Sequence, residues 1–172
     1  MQPLGAGNLA GYRVLDLSNE PGFLAGKLLG DLGADVIKIE PPTGDPARHR
    51  APFVGGIPHR ERSVLWMALN TSKRGITLNL DHAQGRELFL QLCSLADVVL
   101  ETRGFSAEPA PLDALCQGEA DSVYEVLRAH NPWIVHCCIS PFGASGPYHQ
   151  YRGSDLTAAA MGGNLYPTGN PD

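Results

Sequence analysis

Apolar positions along the chain switch repeatedly between short continuous runs and helical repeats. Val14, Leu15 and Leu17 form one run, and Val36, Ile37 and Ile39 another. Short apolar runs bounded by polar residues predict strands. Between them Phe23, Leu24, Lys27, Leu28, Asp31 and Leu32 recur at helical spacing, and Gly33 stands where a C-cap glycine is expected. Two parallel strands joined by one helix make a right-handed crossover.

Beyond Glu40 the segment Pro41-Pro42-Thr43-Gly44-Asp45-Pro46 is closed to regular structure, and the loop extends to about His59. Residues 63–69 read as a short helix or an extended run. Alternation predicts a strand over 74–80, after which Asp81 is placed to cap a helix over 82–95, with Leu88, Leu92 and Leu95 facing inward. Strands are expected over 97–101 and 133–139, with a helix over 121–130 between them. Residues 103–120 read as a loop with at most one weak turn, and 143–153 as another. A last helix begins at Asp155 and ends at Gly162-Gly163. This alternation predicts an α/β fold, a doubly wound and mainly parallel sheet with helices on both faces. Such sheets bind ligands at the carboxyl ends of their strands, so the expected ligand surface is the loops after Leu17, Glu40, Leu80, Leu100 and Ile139.

Composition narrows the function classes. A chain of 172 residues suits one domain, and 43% hydrophobic with 18% charged residues is ordinary for a globular protein. The formal charge of -5 with no basic stripe argues against a nucleic-acid partner. No apolar run reaches membrane-spanning length, and Met1-Gln2-Pro3-Leu4-Gly5 lacks signal-peptide character, so a cytoplasmic location is the expectation. Cys137 and Cys138, neighbours in a strand, point to opposite faces. Neither they nor His136, Cys93 and Cys116 show paired metal-ligand spacing, so no metal is expected.

The turn Ser18-Asn19-Glu20-Pro21-Gly22-Phe23 has one glycine and a bulky Phe23 where a dinucleotide fingerprint needs three glycines, so NAD is not expected. In Asn70-Thr71-Ser72-Lys73-Arg74-Gly75 the adjacent cations are either solvated surface charge or a phosphate-binding pair.

Four stretches together resemble the class III CoA-transferases, the family of formyl-CoA, carnitine and bile-acid CoA-transferases and α-methylacyl-CoA racemases. They are the strand–helix–strand run from Gly11 to Glu40, Asn70 through Leu80, Asn131-Pro132 with Phe142-Gly143-Ala144-Ser145-Gly146-Pro147-Tyr148, and Gly153-Ser154-Asp155 through Ala160 to Gly163. The resemblance implies a Rossmann-like large domain of which residues 1–172 are the first, partial portion, in subunits interlocked as a homodimer. It implies acyl-CoA and a free carboxylic acid as substrates and an aspartate nucleophile. That carboxylate attacks the thioester to give a mixed anhydride, CoA thiolate converts this to an aspartyl-CoA thioester, and the acceptor acid takes the CoA.

By the resemblance the nucleophile is expected beyond Asp172, and Asp172 itself is not assigned to it. Asp155, the aspartate of the last motif, is the candidate inside the chain; a helix N-cap is the simpler reading. The racemase branch needs a histidine where Ser154 stands, which favours transfer over racemisation. A non-catalytic truncated relative that binds a nucleotide or a partner is the other class of reading. Residues expected to contact CoA are Glu20, Pro21, Lys73, Arg74, Leu78, Asn79, Leu80, Asp81, Thr102, Arg103, Gly104, Arg152, Ser154 and Asp155. Lys73, Arg74, Arg103 and Arg152 are the expected phosphate contacts. The chain departs from the family wording at Thr102-Arg103-Gly104-Phe105-Ser106 and at Pro41, where some members carry an arginine.

Overall fold

A computed structural model describes residues 7–105, 110–116 and 122–169. The strands are β1 (Arg13–Asp16), β2 (Asp35–Glu40), β3 (Lys73–Thr77), β4 (Val98–Thr102) and β5 (Val135–Ile139). They form one parallel sheet in the order β3-β2-β1-β4-β5. Both faces of its centre are buried, which is why β1, β2 and β4 read as apolar runs. One face carries Val14, Val36 and Leu100, packed under α1 (Phe23–Asp31); α2 (Val64–Leu69) adds Trp66, which meets Phe23 edge-on. Leu15, Leu17, Ile37, Ile39 and Val99 face the other way, against α3 (Ala83–Cys93), α4 (Val123–His130) and the turn Pro111–Leu115. The expected doubly wound sheet is the one observed, and the order in which strands are added reverses between β1 and β4. Among the described residues no helix is long and apolar enough to cross a membrane.

Several local expectations are corrected. Asp81 does not cap α3; His82 holds the cap position, while Asp81 donates its N–H to Asn79 Oδ1 in an Asx turn that also ends β3 before Leu80. Leu88 and Leu95 face outward, 51% and 67% exposed, whereas Phe89 and Cys93 are fully buried. Gly85 sets that phase, because a Cβ there would lie 1.8 Å from the Asn79 carbonyl oxygen. Burial pushes the Cys93 thiol up to about 12. Of residues 63–69, Val64–Leu69 are helical, and the extended Ser63 caps them, its Oγ accepting from Trp66 N. β5 begins only at Val135, because Asn131 Oδ1 takes Trp133 N in a turn. The Asn131 amide also donates to the Cys93 and Ala96 carbonyls, tying the end of α3 to the end of α4. Asp155 opens α5 (Asp155–Met161) as its first residue, but the cap is Ser154, whose Oγ accepts from Thr157 N. Ser106, Asp121 and the terminal Asn170, Pro171 and Asp172 lie outside the described residues.

Gly26 decides how closely α1 can approach the sheet. A Cβ on it would stand 2.2 Å from Asp16 Oδ2 and 3.0 Å from Lys73 Nζ. Helix propensity alone would reward Gly26→Ala by about 1 kcal/mol. The contact predicts the opposite sign, a loss of about 1–3 kcal/mol from overpacking. Gly75→Ala, with open space around its Cβ, is expected to stay near neutral. Denaturant unfolding of the two variants checks this, and a stabilised Gly26→Ala contradicts the packing described.

Candidate functional site

The reversal between β1 and β4 leaves a crevice at the carboxyl ends of the strands, where doubly wound sheets bind ligands. Its edges are tied together. Thr102 at the end of β4 accepts Asn19 N at 2.9 Å and donates to Asn19 Oδ1 at 2.6 Å. Gly22 lets the β1–α1 turn touch β4, since a Cβ there would be 2.6 Å from Ser18 Cβ and from Thr102 Cγ2.

Beneath this crevice lies a chain of buried charges. Lys73 Nζ sits 2.8 Å from Asp16 Oδ2, with both side chains essentially without solvent contact. It also donates to the Phe23 carbonyl and to Asn70 Oδ1. Burial drives the Lys73 ammonium below the usual lysine range, and the charge and hydrogen bond of Asp16 oppose that fall. The other Asp16 oxygen accepts both Ser18 N and Ser18 Oγ, which fixes the exit of β1. Lys38, equally buried, donates to the Ser18 carbonyl and lies 3.8 Å from Asp45. Desolvation raises Asp45 above the usual carboxylate range against the pull of Lys38. Glu40 binds Arg48 through two hydrogen bonds of 2.6 and 2.7 Å, and Arg48 stacks 4.1 Å from the Trp66 ring centre. Although burial acts to raise Glu40, Arg48 and the Asp45 N–H hold it below the usual range.

The structure gathers some of the sequence-predicted residues and separates others. Glu20, Pro21, Thr102, Ser154 and Asp155 line one cleft of about 550 Å³ at the reversal. Leu78, Asn79, Leu80 and Asp81 line an adjoining cleft of about 610 Å³, and the two share Leu17, Ile39, Pro41 and Pro111 as walls. Arg103 and Gly104 border a third hollow of about 740 Å³ over β4 and β5. The Arg103 guanidinium is held by Glu101 at 2.9 Å and by Asp113 at 2.7 Å, and these anions keep it protonated against its burial. The Lys73 ammonium points into the protein, and Arg74 pairs with Asp35 at the amino end of β2. Arg152 is exposed, next to Gly153 of the first cleft. Sequence reading missed Ser18, Lys38, Asp45 and Arg50 in that cleft. Asp45 followed by Pro46 was the available signal, since it reads as a cap and first position of a turn; Asp45 Oδ1 does accept Ala47 N.

Comparison with known proteins adds to this geometry. A sequence model described as CoA-transferase family III matches residues 9–172. The succinyl-CoA:(R)-benzylsuccinate CoA-transferase subunit BbsE of Thauera aromatica is 39% identical over 92% of this chain and 36% of its own length. The formyl-CoA:oxalate CoA-transferase of Streptomyces avermitilis is 36% identical over 95% of this chain and 37% of its own. Among solved structures, a CAIB/BAIF family protein from Brucella suis superposes with a TM-score of 0.78 at 38% identity, over 99% of this chain and 42% of its own. The chain thus spans roughly two fifths of the length of these relatives.

The buried pair yields a stability test. Lys73→Met leaves Asp16 buried without its counter-charge and is expected to cost about 3–5 kcal/mol. Asp16→Asn combined with Lys73→Met removes both charges and is expected to recover much of that loss. A Lys73→Met variant as stable as the parent in urea would show that the ammonium is solvated rather than enclosed.

Proposed function

The chain belongs to CoA-transferase family III, and we propose that it forms the CoA-handling part of an enzyme that moves CoA from an acyl-CoA thioester to a free carboxylic acid. One observation carries this reading. Residues at the ends of β1, β3 and β4, together with the start of α5, meet in two adjoining clefts at the strand-order reversal, the position at which such sheets take nucleotide ligands. The clefts are walled by Leu17, Ile39, Pro41 and Pro111, a surface suited to an extended, partly apolar ligand.

In the proposed reaction an aspartate carboxylate outside the described residues attacks the thioester carbonyl and releases CoA thiolate. The thiolate attacks the resulting anhydride, freeing the first acid and leaving aspartyl-CoA; the acceptor carboxylate then takes over the CoA by the reverse steps. Asp155 is better suited to a supporting place, in the first turn of α5, where its charge complements the helix dipole. Serine at position 154 supports transfer over racemisation, since a hydroxyl does not relay protons at neutral pH as imidazole does. An interlocked homodimer of the whole protein belongs to the same proposal.

The test uses the whole protein, purified and supplied with acyl-CoA donors, succinyl-CoA and formyl-CoA among them, and a panel of carboxylic acids. Mass spectrometry is expected to detect a new acyl-CoA matching the acceptor, with free CoA remaining minor. Borohydride applied during turnover is expected to reduce one aspartyl thioester to the alcohol. Binding of CoA without any exchange across the panel would support the non-catalytic alternative instead.

A further inference from the structure

The cleft at the reversal is lined by two cations, Lys38 and Arg50. They differ in availability. The Lys38 ammonium is enclosed, 3% exposed, and engaged by the Ser18 carbonyl and Asp45. The Arg50 side chain is 58% exposed at the cleft mouth, where its guanidinium pairs with Glu20, itself 34% exposed. An ion pair this open to water contributes little and exchanges readily. Arg50 is also carried on the most cationic stretch of the chain, since Arg48, Arg60 and Arg62 share the loop between β2 and α2. Of these, Arg48 is committed to Glu40 and Glu61. Of the other acids lining the cleft, Asp45 is already met by Lys38 and by Ala47 N, and Asp155 sits in the first turn of α5.

We propose that Arg50 is the phosphate-docking residue of this cleft and that Glu20 is its exchangeable partner, holding the guanidinium at the mouth until a phosphate of the CoA moiety displaces the carboxylate. A guanidinium presents a planar fork that matches phosphate oxygens two at a time, and the 3′-phosphate and diphosphate of CoA together carry more negative charge than the single carboxylate they displace. Glu20 therefore sets a threshold. Ligands bearing phosphate open the pair, and short thioesters without phosphate leave it closed. The inference rests on the CoA-transferase reading above and adds to it the residue that selects the phosphate-bearing carrier.

Titration calorimetry on the whole protein tests it with CoA, dephospho-CoA and N-acetylcysteamine, the last a thiol without phosphate. Arg50→Ala is expected to weaken CoA about tenfold, the loss of one charge-assisted contact, and to leave N-acetylcysteamine unchanged. Glu20→Gln frees Arg50 and is expected to tighten CoA about two- to threefold, by removing a competitor of surface ion-pair strength. Loss of affinity with CoA but not with dephospho-CoA assigns the 3′-phosphate; loss with both assigns the diphosphate. Unchanged CoA affinity in Arg50→Ala, or weaker binding in Glu20→Gln, overturns the proposal while leaving the transferase reading intact. A parent protein that does not bind CoA at all overturns both. Thermal melts of the two variants, whose substituted side chains are exposed, establish that any change is in binding rather than folding.

Discussion

The contact between Lys73 and Asp16 is the one on which the rest of the arrangement depends. It joins the first residue of β3 to the last residue of β1 across the intervening β2, beneath α1, at a point where only glycine fits on the helix. Asn70, ending α2, and the Phe23 carbonyl, opening α1, complete the ammonium's hydrogen bonds. Two unpaired charges at this depth would be prohibitive, and even paired they repay their desolvation only with such additional partners. What the pair secures is geometry. Asp16 is left free on one oxygen to grip Ser18 twice, and the β1–α1 turn is thereby set against Thr102.

From that turn the position of the crevice follows. Strand order reverses beside it, so the connections after β1 and β4 lead to opposite faces of the sheet and leave a crevice above the tie between Asn19 and Thr102. Lys38 and Asp45 carry the buried charge chain from Ser18 to the loop after β2, and Arg48, stacked on Trp66, anchors that loop on α2. The buried charges of the crevice floor are met by partners within the chain. Its rim, with Arg50 and Glu20, is where charge remains exchangeable.

The centre of the sheet was legible in the sequence because burial on both faces demands continuous apolar runs, and Val14 to Leu17 and Val36 to Ile39 supply them. The edge strands were harder to bound. β3 ends at an Asx turn and β5 starts after one, and such turns are decided by single side-chain hydrogen bonds at Asn79 and Asn131. The phase of α3 was misread at Leu88 and Leu95, because leucines are a stronger apolar signal than the Gly85 and Cys93 that flank Phe89 on the packed face; Leu92 does pack against the core. At the site, the sequence pointed to loops that the structure gathers at the strand-order reversal, but it could not distinguish a cation facing a ligand from one facing a partner 57 positions away. Lys73 and Arg103 both read as phosphate contacts, and both are engaged by carboxylates of the chain itself. Arg50 stands in no motif of the sequence, and its place among the residues lining the cleft comes from the structure.

A crystal structure of the whole protein with CoA bound measures the central claim directly. CoA is expected to lie across the carboxyl ends of β1 and β4, beside the Glu20-Pro21 turn and Thr102, with the Lys73 ammonium still on Asp16 and out of reach of the ligand. CoA phosphates found against Lys73, or at the amino ends of the strands beside Arg74 and Asp35, would contradict it.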